Sequence, residues 1–124
     1  MLGRCCGNSS QAWLGTTLNE RSTRMSRFAS FREFYPFYLS EHRNTVSRRL
    51  HFIGSCGVLL LVTIAVLRGQ PLLLLAALAC GYGFAWVGHF FFEKNRPATF
   101  RHPLYSFIGD WVMFADILRG RVKW

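Results

Sequence analysis

Two apolar runs, 50–67 and 71–92, are separated by only Arg68, Gly69 and Gln70. A connection that short allows one arrangement, an antiparallel helical hairpin. The first run has 18 positions with His51 as its one strongly polar residue, and the second has 22 positions without a formal charge. A helix of about 20 apolar residues crosses the hydrocarbon core of a bilayer, and about 18 just suffice. LLLVTIAVL and PLLLLAALACGYGFAWVG are apolar on every side, whereas a helix of a soluble hairpin keeps one polar face. The pattern predicts an all-α integral membrane protein built on a two-span hairpin. A third apolar segment, 104–118, is shorter and carries Asp110 and Asp116. It reads as a membrane-associated or protein-buried helix, and whether it spans stays open.

Charge then orients the hairpin. The chain has 15 Lys and Arg against 6 Asp and Glu, a formal +9. A nucleic-acid reader would gather such bases on a polar surface. Here they stand at the ends of the apolar segments, which argues for a membrane and against a nucleic-acid partner. Eight of the 15 precede residue 50, one (Arg68) lies between the runs, three fall in 93–103, and Arg119, Arg121 and Lys123 close the chain. Basic segments stay on the cytoplasmic side, so the N-terminal region and the 93–103 loop are expected there, with RGQP as the outer turn.

Residues 1–25 read differently from the rest. MLGRCCGNSSQAWLGTTLNERSTR has no apolar core for a signal peptide, and is expected to be a disordered tail or to lie upstream of the true start. Residues 26–124 then form a single membrane-embedded domain. Cys5, Cys6, Cys56 and Cys80 match no CxxC or zinc spacing, and Cys56 and Cys80 are expected as buried free thiols. From Arg27, aromatic residues recur at helical spacing at Phe28, Phe31, Tyr35 and Tyr38, with Pro36 as a kink or restart. Such a helix lies in the membrane interface or offers an ordinary core face. Thr45 or Ser47 is a candidate cap for the first span.

Hairpin geometry brings the chemistry-bearing residues together. His51 and His89 are 38 positions apart with residue 70 at their midpoint. Each is therefore about 28 Å along its helix from the turn, at one depth. Ala77, Gly81, Ala85 and His89 repeat every four residues, a small-residue stripe that admits a neighbouring helix. Glu93 follows four residues later and can share the face of His89. His42 arrives from the aromatic segment and His102 from the basic loop. Imidazole is the commonest side-chain ligand of zinc and iron, and a carboxylate completes the two-histidine-one-carboxylate set of non-haem iron oxygenases. Singly, each histidine reads as an interfacial or hydrogen-bonded residue. Together they point to a metal, whose identity the spacing leaves open. Two level histidines can also be axial ligands of one haem in an electron-transfer protein. Equally, the cluster can be the polar fastening of a non-catalytic membrane scaffold.

YLSEHRNTVSRRLHFIG, followed by AWVGHFFFEKNRPA, resembles the small membrane-protein family that includes the yeast 2-hydroxy fatty acid dioxygenase. The residues that carry the resemblance are Tyr38, His42, Asn44, His51, Gly88, His89, Glu93, Lys94, Pro97 and Ala98. It covers about residues 26–120. HPLYSFIGDWVMF is similar to the bacterial branch in particular, which leaves His102 open between a branch feature and a ligand. The resemblance implies an Fe(II) dioxygenase that takes a fatty acyl lipid and O2 and shortens a 2-hydroxy fatty acid by one carbon. It further implies iron on His42, His51 and His89, in a bacterial inner membrane (or the ER membrane of a eukaryote). Tyr38, Asn44 and Glu93 become candidate catalytic side chains. Glu93 is a fourth ligand or orients His89. Lys94 or Arg96 would pair with the substrate carboxylate, although basic residues such as Lys94, Arg96 and Arg101 ordinarily anchor a span. Asp110, costly in an apolar segment unless partnered, is expected to bond a histidine or arginine, with ligation as the second reading.

Overall fold

The computed structural model describes residues 28–124; residues 1–25, with Cys5 and Cys6, lie outside the described residues. Four helices follow one another: α1 (Phe31–Ser40), α2 (Thr45–Arg68), α3 (Leu72–Val87) and α4 (Pro103–Leu118). A π-helical turn, Gly88–Glu93, prolongs α3, and a 3-10 turn, Ala98–Phe100, leads into α4.

The hairpin is formed by α2 and by α3 with its π turn, and both arms are long and apolar enough to cross a membrane. In their most apolar windows only 17% and 22% of residues are buried within the protein. A greasy helix of a soluble core would be mostly buried, so these arms present their apolar side chains outward. Leu59, Leu60, Val66, Leu67, Leu72 and Leu75 are all exposed. The turn closes through Gly69, which takes left-handed φ (+61°) and lets the Gln70 N–H donate to the Ala65 carbonyl at 3.0 Å.

Close approach of the arms depends on missing side chains. A Cβ on Gly57 would stand 2.6 Å from Cys80 Sγ, and one on Gly81 2.9 Å from Val58 Cγ2. Gly81 of the small-residue stripe thus does admit the neighbouring helix. Both thiols are free as expected, but Cys56 is exposed and Cys80 only half-buried. The expectation of buried thiols fails because Cys56 faces outward from α2.

The cap of α2 also differs from expectation. It is Asn44, whose Oδ1 accepts from the Val46 N–H at 2.8 Å, in place of Thr45 or Ser47. An asparagine side chain is short enough to reach the second amide of the helix. In α1, Pro36 lies within the helix, and Phe34 and Tyr38 are fully buried. Of the expected stripe only Tyr38 is buried, while Phe31 and Tyr35 are half-buried; the second buried ring, Phe34, lies outside it. Phe34 stacks near Tyr105 of α4 at 5.4 Å, and Tyr35 Oη donates to Asp116 Oδ2 of α4 at 2.7 Å. The third apolar segment is thus a protein-packed helix that presents Ser106, Gly109, Met113 and Asp116 inward.

Candidate metal centre

His42 follows α1, His51 lies in the second turn of α2, and His89 opens the π turn. All three are buried, at 1%, 7% and 3% exposure. One ring nitrogen from each lies within 4.8 Å of the others, and no further His, Cys, Asp or Glu joins the group among the described residues. The level placement of His51 and His89 agrees with the hairpin arithmetic: their ring centroids are 5.2 Å apart.

The outer nitrogen of each ring is already committed. His42 Nδ1 is 2.7 Å from the Tyr38 carbonyl oxygen. His51 Nδ1 is 3.2 Å from Asp110 Oδ1. His89 Nδ1 is 2.9 Å from Asn95 Oδ1. A carbonyl and a carboxylate only accept, so His42 and His51 carry their proton on Nδ1. The Asn95 amide is oriented by its own NH2, which donates to the Glu41 carbonyl at 3.1 Å and to Glu41 Oε2 at 3.0 Å. Its oxygen therefore faces His89, whose proton is also on Nδ1. Three unprotonated Nε2 atoms are left to converge, and those of His42 and His51 are only 3.1 Å apart.

Two lone pairs at that distance repel unless a cation or a proton lies between them. Imidazole nitrogens that share one metal at about 2.1 Å each stand about 3 Å apart when cis. The donor set therefore fits a metal ion: neutral imidazoles, each fixed in tautomer and orientation by an outer partner. Burial first, then the neighbouring imidazoles of His51 and His89, hold His42 well below the usual histidine range. It stays neutral, as a ligand must.

Asp110 does more than orient His51. Its Oδ1 also accepts from the Tyr38 hydroxyl, which ties α1, α2 and α4 together at the site. Burial and then the Asp110 carboxylate push the Tyr38 phenol well above its ordinary range. Gly109, next in α4, makes this contact possible, because a Cβ there would stand 3.0 Å from the Tyr38 ring. Arg48 steadies the His42 loop, donating to the His42 and Arg43 carbonyls at 2.9 and 2.8 Å and to that of Lys123 at 3.0 Å.

The other sequence candidates are distributed around this centre. Glu93 is outside the histidine group, and its Oε1 accepts from the Asn44 N–H at 2.6 Å. Asn44 and Glu93 thereby join the start of α2 to the end of the π turn. His102 precedes α4 and sets its ring edge-on to Phe34, with centroids 5.6 Å apart. Lys94 and Arg96 are exposed. Asn95, Glu41 and Arg48 were not singled out by the sequence reading. Asn95 comes back over His89 because Lys94 takes left-handed φ (54°) and the Asn95 N–H donates to the His89 carbonyl at 3.1 Å, a path that no helical periodicity describes.

A cavity of about 420 Å³ adjoins the histidines. His51, His89, Tyr38 and Asp110 line it together with Ser55, Thr99 and Ser106, and Ala85, Gly81, Ala77 and Leu74 carry its wall along α3. No lysine or arginine lines it. Arg96 instead lines a second hollow beside Glu41, Arg101 and His102.

A family model described as 2-hydroxy-palmitic acid dioxygenase Mpo1-like matches residues 28–122. The chain belongs to the Mpo1-like family. No curated protein and no solved structure matches it. The matched span takes in all four helices and every residue of the histidine group, so the Mpo1-like assignment covers the whole candidate centre.

Proposed function

We propose that His42, His51 and His89 hold one Fe(II), and that the chain is a membrane dioxygenase that shortens 2-hydroxy fatty acids by one carbon. The observation that carries this reading is the convergence of three Nδ1-anchored imidazoles beside a cavity lined mostly by apolar residues. The family's description supplies the substrate class. Bound there, Fe(II) would supply the one-electron chemistry through which O2 attacks an organic substrate.

The chain's own residues do the rest. Asp110, Asn95 and the Tyr38 carbonyl keep all three Nε2 lone pairs inward. Tyr38 keeps its proton and donates to Asp110, holding the carboxylate where it can orient His51. The α3 wall of Ala85, Gly81 and Ala77 accepts an acyl tail and keeps water from the reacting carbon. With no lysine or arginine on that wall, a metal held by the three histidines would supply the positive charge for the substrate carboxylate, while Lys94, Arg96 and Arg101 anchor the mouth to anionic head groups on the cytoplasmic side. Asn44 and Glu93 act by fastening α2 to the π turn.

A haem reading is disfavoured by geometry. Three imidazoles with centroids 4.5, 4.5 and 5.2 Å apart leave no slot for a macrocycle between two of them. The deciding experiment is iron content of anaerobically purified protein, for wild type, His51→Ala and His89→Ala, followed by 2-hydroxypalmitate and oxygen. Expected are about one iron per chain (lost in both variants) and a C15 acid as product. Folded wild type that binds no metal would leave the histidines as a scaffold fastening.

A further inference from the structure

The cavity beside the histidines is lined by α2 from His51 through Ser55 and Val58 to Val62, and by α3 from His89 back to Leu74. Leu74 lies fifteen positions before His89, a helical rise of about 22 Å. The cavity thus follows the hairpin through most of a hydrocarbon core of about 30 Å. No residue of α4 beyond Trp111 lines it. The contacts of α4 explain why. Asp110 meets His51 and Phe114 meets Phe52, which are neighbours in α2 although the two α4 residues stand a turn apart. Asp116 still reaches Tyr35 of α1. α4 therefore crosses the mouth of the hairpin instead of descending beside it.

Away from that crossing the cavity has walls and no cover. Leu74, Leu78, Tyr82 and Trp86 of α3 and Phe107 of α4 line it and are exposed at the same time, so its side opens between α3 and α4. Two aromatic pairs frame the opening, Tyr82–Trp86 and Phe107–Trp111, with centroids 6.2 and 6.4 Å apart within each pair. No ring contact joins one pair to the other among the described residues. The loop after the π turn does the opposite. Pro97 and Ala98 are buried in the cavity wall, and Phe100 packs on Trp86 at 6.2 Å, which shuts the cytoplasmic side.

We propose that substrate enters this cavity sideways from the bilayer, between Tyr82–Trp86 and Phe107–Trp111, and binds with one acyl tail along α2 and α3 that stays in contact with lipid. This rests on the membrane and substrate reading above and adds the route. On it neither end of the amphiphile leaves its own medium: the head stays level with the histidines at the mouth, and the tail stays in hydrocarbon. Entry from water would expose the whole tail. At about 420 Å³ the cavity is toward the small end of ligand sites, which suits one tail and not the two of a phospholipid.

Trp111 both frames the opening and lines the cavity, so its fluorescence reports the route without turnover. A chain with Trp111 as sole tryptophan (Trp13→Phe, Trp86→Phe, Trp124→Phe) would be placed with its metal, anaerobically, in vesicles of phosphatidylcholine brominated on its tails, a contact quencher. A chain that keeps only Trp124, which packs on Phe52 and Arg49 outside the cavity, is the control. The bromolipid should quench Trp111, and 2-hydroxypalmitate, whose tail has no bromine, should restore most of the lost emission by displacing lipid. Trp124 should not respond to 2-hydroxypalmitate, and aqueous iodide should leave Trp111 unquenched. Wild type should show the same recovery on part of its emission. Calorimetry on the same vesicles measures binding itself. Binding of 2-hydroxypalmitate without recovery of Trp111, no quenching by the bromolipid, or quenching by iodide places the entry elsewhere and overturns the proposal, with the substrate reading left standing. Wild type that binds 2-hydroxypalmitate no better than hexadecane removes the proposal together with that reading.

Discussion

Asn95 Oδ1 accepts from His89 Nδ1 across 2.9 Å, and the same amide is pinned on its other side by Glu41. The orientation of His89 is thus decided outside the helix that carries it, by a residue beyond the π turn and by another from the end of α1. Asn95→Ala should lower metal affinity about 10- to 100-fold while the helices remain formed. Metal titration monitored alongside circular dichroism checks this. Wild-type affinity in the variant would mean that packing alone aims the ring.

Asp110 serves two donors, so its removal should cost more than removal of either. Asp110→Ala leaves the fully buried Tyr38 hydroxyl without an acceptor, at about 1–3 kcal/mol, and frees His51 to rotate. Tyr38→Phe deletes donor and demand together, and His51 keeps its partner. The expected order of melting temperature in detergent is wild type, then Tyr38→Phe, then Asp110→Ala. The reverse order of the two variants would show that Asp110 is not the hub of α1, α2 and α4.

Tyr35 and Tyr38 should stay protonated through the range in which a free phenol ionises, near 10. Burial is the larger cause for both, supported by Asp116 for Tyr35 and Asp110 for Tyr38. The sign follows: the unfolded chain loses these protons first, so their contribution is complete below about pH 10 and is lost as pH rises above it. Absorbance at 295 nm should show a late step coinciding with unfolding, and the Tyr35→Phe/Tyr38→Phe double variant should lack it. A double variant that keeps the late step assigns it to other tyrosines.

Gly57 and Cys80 should be coupled. A methyl on Gly57 meets Cys80 Sγ, so Gly57→Ala should destabilise by about 1–3 kcal/mol, and Cys80→Ala in the same chain should recover most of it. A double-mutant cycle on denaturant midpoints measures the coupling. Additive effects would place the close contact of α2 and α3 elsewhere.

How far the sequence reaches can be judged residue by residue. The two-arm hairpin, the common depth of His51 and His89 and the inward use of Gly81 follow from run length, turn length and helical spacing. These are local properties that α-helical hydrogen bonding transmits unchanged along 20 residues. The expectation that Asp110 bonds a histidine follows from the cost of an unpaired carboxylate among apolar residues. Tertiary structure alone decided the rest. Pro36 reads in the sequence as a kink or a restart, whereas it lies inside α1, whose Phe34 and Tyr38 are buried. His42 meets the other two imidazoles because Arg48 holds its loop. Asn95 reaches His89 through the left-handed Lys94. Each of these depends on where one element lies against another, and side-chain spacing within a single helix carries no information about that placement.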